Sequence, residues 1–118
     1  MEFKYYNKTD ANQFAFIRIP KAMMTEEMFS SLSVHAKILY GMLLDRMGSS
    51  MKNKWIDDSN HVYIIYPIAE IISDMNVSRG KAVSSLSELE QLGLIEKKHQ
   101  GQGRPTLLYV KNFVVMSA

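Results

Sequence analysis

The chain contains no cysteine, which removes disulfides and thiolate metal sites and suits a reducing cytoplasm. Long apolar runs are missing as well. The richest stretch, "YIIYPIAEII", is broken by Pro67 and Glu70 and falls short of the roughly 20 residues a membrane span needs. The first ten residues, "MEFKYYNKTD", lack the apolar core of a secretion signal. Internal repeats, low-complexity runs and linkers are also absent. Neither sign of charge dominates, since 14 basic and 12 acidic residues leave a net charge of +2. What is present is ordinary: 118 residues, 47% hydrophobic and 22% charged, enough for one soluble domain with a single core.

Charge says more by place than by total. From Ser78 to Lys111 there are six basic and three acidic residues, a local excess of +3, while the remainder carries −1. Residues 1–15 read as an N-terminal arm and strand. Within "QFAFIRIP", Phe14, Phe16 and Ile19 alternate with smaller or polar residues, predicting a short strand that Pro20 ends. In "TEEMF", Thr25 as cap with acids in the first turn predicts one or two helical turns. Ser33 caps the clearest helix, where Ala36, Leu39, Tyr40, Leu43, Leu44 and Met47 follow helical spacing up to Gly48. "KNKWIDDSNHVYIIYP" reads as a hairpin turning at Asp57–Asn60.

The informative order comes next. Ile68, Ile71, Ile72 and Met75 share one helical face; Asn76 and Val77 make a bend with no glycine or proline. Ser78 caps a second helix with an expected buried face of Ala82, Val83, Leu86 and Leu89, and Gly93 ends it. Leu94–Lys98 and Leu107–Val110 are strand-like around the polar loop "HQGQGRP". Helix, tight bend, helix, strand, loop, strand is the order of a winged helix-turn-helix with a small antiparallel sheet, an α+β fold. A bend this short makes the helices cross steeply and holds the second proud of the surface, at a width that fits the major groove.

On a helical wheel Gly80, Lys81, Ser84, Glu88 and Gln91 point outward, with Arg79 and Ser85 at the flanks. The outward N-terminal half thus offers Arg, Gly, Lys and serines with no carboxylate, which suits phosphates and base edges. The DNA-binding residues expected from this pattern are Ser78, Arg79, Gly80, Lys81, Ser84 and Ser85 on the helix. Lys97, Lys98, Gln102 and Arg104 are expected to join them from the wing, where Arg104, beside glycine and proline, suits a minor groove. Other chemistry finds no foothold. His35, His61 and His99 lie in separate elements with no ligand spacing, so no metal is expected. "GQGRP" lacks the Lys-Ser/Thr of a phosphate loop, no serine sits in a nucleophile motif, and the nine methionines read as core filler. Neither an enzyme nor a cofactor is expected. A winged-helix transcriptional regulator fits the same DNA chemistry, and a winged helix devoted to protein contacts is a further alternative.

Taken in order, "FIRIPKAMM", "LSVHAKILYGMLLDRM", "WIDDSNHVYIIYPIAEI" and "KAVSSLSELEQLGLIEKKHQGQGRPTLLYVKNF" resemble the N-terminal domain of the plasmid replication initiator A family of Gram-positive bacteria. The likeness runs from about Phe16 to Phe113, with Ser78–Leu92 in the position of the recognition helix and His99–Pro105 in that of the wing. The resemblance implies sequence-specific binding of double-stranded DNA at repeated sites of a plasmid origin, usually as a homodimer. It also implies a C-terminal domain beyond Ala118 that engages host replication proteins, so that residues 1–118 are the DNA-binding domain of a longer initiator.

Overall fold

A computed structural model of the chain describes residues 1–8 and 13–114. The elements are α1 (Ala22–Thr25), a 3-10 turn (Glu27–Phe29), α2 (Val34–Met47), α3 (Ser50–Asn53), α4 (Ile68–Met75), α5 (Arg79–Leu92), β1 (Ile95–Lys98) and β2 (Leu107–Val110). Helix α2 is the spine. Its cap Ser33 is extended, and the Ser33 hydroxyl accepts from the Ala36 backbone nitrogen at 3.1 Å, as the sequence predicts. Helix α5 packs across α2 and α4. Leu39 and Leu43 of α2, Ile71 of α4 and Leu89 of α5 are completely buried at this junction with Phe29, Met23 and Ile64. Each such side chain contributes about 1.5–3 kcal/mol relative to being left in water.

The sheet is antiparallel, with Ile95 opposite Val110 and Lys98 opposite Leu107. Its third member is reduced to one residue, Ile64, which exchanges backbone hydrogen bonds of 2.8 and 2.9 Å with Leu108. The expected hairpin before it is likewise a single bridge, Ile56 to Val62. Its turn is held by Asp57, whose carboxylate accepts from the backbone of Ser59 and His61 and from the Tyr109 hydroxyl. The His61 and Ser59 amides and that hydroxyl hold the Asp57 carboxyl below its ordinary value, with the His61 backbone leading. Arg46 fixes α4 against α2: its guanidinium stacks 3.8 Å from the Tyr66 ring centre and donates to the Ile65 carbonyl at 2.8 Å and to Glu70 at 3.0 Å. Tyr66 donates in turn to Asp74 at 2.6 Å, and burial raises its hydroxyl well above the usual phenol value. The result is a winged helix-turn-helix.

Two expectations fail toward the N-terminus. The described part of "QFAFIRIP" forms no strand; Phe14 and Phe16 are exposed and pack edge to face with ring centres 6.2 Å apart. Among the described residues no partner strand lies beside it. The segment instead runs across α2 at Gly41, where an added Cβ would come within 2.9 Å of the Ile19 side chain and 3.2 Å of the Arg18 carbonyl oxygen. Residues 9–12 of the expected arm lie outside the described residues. The helical turn expected in "TEEMF" is present as the 3-10 turn Glu27–Phe29, but Thr25 ends α1 instead of capping that turn, because the Pro20 carbonyl already accepts from the Met23 nitrogen and starts the winding earlier.

Candidate nucleic-acid interface

Helix α4 ends at Asn76, whose backbone takes the left-handed conformation (φ 52°), so the bend needs no glycine. Ser78 then caps α5, its hydroxyl accepting from the Lys81 nitrogen at 3.1 Å. Gly93 (φ 88°) closes the helix and lets the Leu94 nitrogen reach back to the Leu89 carbonyl at 2.9 Å. The strand follows at once, so the lysines of β1 start from a fixed point beside the helix.

The helix is rotated from its expected setting. Ala82, Ser85, Leu86 and Leu89 face the core, and Val83 is 47% exposed. Ser85 is therefore misplaced as a DNA contact: it is fully buried, and its hydroxyl has no hydrogen-bond partner among the described residues. Leaving such a group dry and unpaired costs about 1 kcal/mol or more. Ser85→Ala is accordingly expected to raise stability by about 1 kcal/mol, read as a higher urea midpoint at unchanged slope, and to leave DNA affinity as it was.

Glu88 does not point freely outward either. One carboxylate oxygen accepts from the Ser33 nitrogen and the other from the Ser33 hydroxyl, both at 2.7 Å. Helix α5 thus supplies a negative charge to the N-terminal end of α2. These two bonds, the backbone one first, lower the Glu88 pKa, with Lys81 and His35 adding a smaller electrostatic pull.

On the wing, Lys97 spends its charge on Glu90 of α5 at 3.4 Å, whereas Lys98 is exposed on the other face of the strand. The loop is tied at its base: His99 Nδ1 lies 3.0 Å from the Thr106 hydroxyl, and Gln100 donates to the Pro105 carbonyl at 2.7 Å. Gly101 (φ 108°) and Gly103 (φ 77°) take conformations that side chains resist, turning the tip so that Gln102 and Arg104 stand in solvent. His99 and Pro105 share a cleft of about 250 Å³ with Leu86 of α5 and with Pro67 and Ile68 at the start of α4. Wing and helix-turn-helix therefore stand side by side. Among the described residues Arg79, Lys81, Lys98 and Arg104 are exposed and make no ion pair.

Of the ten residues expected to touch DNA, nine are at least partly exposed, Lys97 is tied to Glu90 and Ser85 is buried. The sequence reading missed Val83 as an outward residue and Ser33–Glu88 as the clasp between α2 and α5. A signal for the first was present: the mean direction of Ala82, Leu86 and Leu89 on the wheel lies nearer to Ser85 than to Val83.

A family model for the N-terminus of replication initiator protein A (RepA) matches residues 15–118. A protein of Lactobacillus helveticus described as a 41 kDa protein is 27% identical over 96 residues; the match covers 81% of this chain, which spans 27% of that relative's length. A solved structure described as the N-terminal domain of a DNA-binding protein superposes with a TM-score of 0.80 at 29% identity, over 98% of this chain and 88% of the other. A Rep–DNA complex gives 0.79 at 29% identity, over 97% and 88%. An initiator described as MDR gives 0.76 at 31% identity, over 96% and 89%. With this fold in common and the family pattern running over most of its length, the chain belongs to the replication initiator protein A family, as its N-terminal domain.

Proposed function

We propose that the chain binds double-stranded DNA sequence-specifically at repeated sites of a plasmid replication origin and so starts plasmid replication in the cytoplasm. The observation that carries this reading is the set of exposed cations without an ion pair among the described residues, Arg79 and Lys81 on α5 with Lys98 and Arg104 on the adjoining wing. A solved relative of the same fold is described as a Rep–DNA complex. Helix α5 enters the major groove by its N-terminal half, the capped end adding its positive dipole, and the wing meets the flanking backbone or minor groove. The chain acts as a homodimer, so that two such helices meet successive major grooves about 34 Å apart. The exposed rings of Phe3, Tyr5, Tyr6, Phe14 and Phe16 support that pairing. Host replication proteins are met through a C-terminal domain of the longer initiator. The chemistry is binding alone, with no enzyme activity and no cofactor.

Footprinting on the plasmid that encodes the chain tests this. The expected result is evenly spaced protection over repeats in the replication origin; protection confined to a promoter would make the protein a transcriptional regulator instead. Arg104→Ala is expected to weaken binding roughly tenfold at about 0.1 M monovalent salt and to lower the log–log salt slope by about one. Fluorescence polarisation across a salt series measures both.

A further inference from the structure

The outward strip of α5 is short on reach. Gly80, Ser84 and Ser87 carry at most a hydroxyl, and between Arg79 and Ser87 the exposed apolar side chain is Val83. Ser84 donates its hydroxyl to the Lys81 carbonyl at 3.2 Å. Its proton is thereby used inside the helix, and lone pairs are what it presents outward. The strip therefore shows a branched apolar group beside a hydrogen-bond acceptor. Its small neighbours allow a backbone approach close enough for a side chain as short as valine to meet a base edge.

The major-groove edge of an A·T pair is the complement of that surface, offering the thymine 5-methyl group and the adenine N6 donor. A G·C pair also offers a donor, the cytosine N4 amine, but no methyl group, and its guanine edge would set acceptors against an acceptor, so the methyl group carries the discrimination. We propose that Val83 reads sequence by packing on the 5-methyl group of a thymine, with Ser84 accepting from the amine of an adjoining adenine. This rests on the reading of α5 as a recognition helix for double-stranded DNA.

Val83 is well suited to mutation, because it is half-exposed and alanine forms helix better than valine. A duplex is first enriched from a random-sequence pool on the wild-type chain. Each of its thymines is then replaced in turn by uracil, which removes the methyl group and nothing else. Affinities are measured by fluorescence polarisation for wild type and Val83→Ala, and melting by circular dichroism confirms that both are folded. For wild type, uracil at one position is expected to weaken binding about fourfold, the worth of one methyl group withdrawn from water. Val83→Ala is expected to weaken binding to the unmodified duplex roughly tenfold, for two such groups, and to be indifferent to uracil at that position. Should the two effects simply multiply at every thymine, the assignment of Val83 is overturned while DNA binding stands. Failure to retain any duplex would overturn the recognition-helix reading itself, and this inference with it.

Discussion

Alanine at both Arg79 and Lys81 is expected to lower the affinity for duplex DNA about fiftyfold at about 0.1 M monovalent salt and to flatten the log–log salt dependence by about two units. Each lost phosphate contact removes close to one released counterion, and that release supplies much of the binding free energy. Both side chains lie in the first turn of α5, exposed and without an ion pair among the described residues. The fold does not depend on them. Ser78 caps the helix through the backbone nitrogen of Lys81, which alanine keeps. The thermal midpoint is therefore expected to hold while affinity falls, a pairing that separates lost contact from lost structure. Binding isotherms of the variant at several salt concentrations decide the matter: affinity and slope equal to wild type would mean that this end of the helix meets no phosphate.

Glu88→Ala acts on the opposite ledge of the same helix and is expected to cost about 2 kcal/mol of stability near neutral pH. Two short charge-assisted bonds to Ser33 disappear, and the N-terminal end of α2 loses the carboxylate facing it. The sign of the pH dependence follows from the direction of the shift. Because folding lowers the Glu88 pKa from its ordinary 4.5, the contribution is complete above that unfolded value. It fades as the pH falls through the lower folded-state value. The stability gap between wild type and Glu88→Ala, measured by urea unfolding, is thus widest near neutrality and narrows as solutions are made more acidic than about pH 5. A gap that stayed constant with pH would show that the carboxylate charge is not what holds the two helices together.

The elements around the bend were legible in the sequence because local rules act there without competition. Ser33 and Ser78 are caps, Gly93 is a left-handed stop, and the spacing of Ile68, Ile71 and Ile72 follows one helical face. Three things were not legible, each for a physical reason. The alternation of Phe14 and Phe16 has the period of a strand, but a strand needs a neighbour, and what Ile19 finds is the bare backbone at Gly41. The rotation of α5 was obscured because valine is apolar and serine polar, while packing against α2 and α4 buries Ser85 regardless. The Ser33–Glu88 clasp joins residues 55 apart in the chain, and no local pattern foretells a pairing at that separation. The wing was visible as glycines and charges, yet the division of labour between Lys97 and Lys98 depended on where Glu90 came to rest.

The wing is braced at its base by the His99–Thr106 and Gln100–Pro105 contacts, and α5 is tied at its cap, to α2 and to β1. The ordering entropy of this surface is consequently met during folding, ahead of any encounter with a duplex. Association is then governed by diffusion and the long-range pull of the exposed cations on α5 and the wing, so its rate falls as ionic strength rises. On the proposed sequence-specific binding, residence time is the quantity left for the base sequence to set.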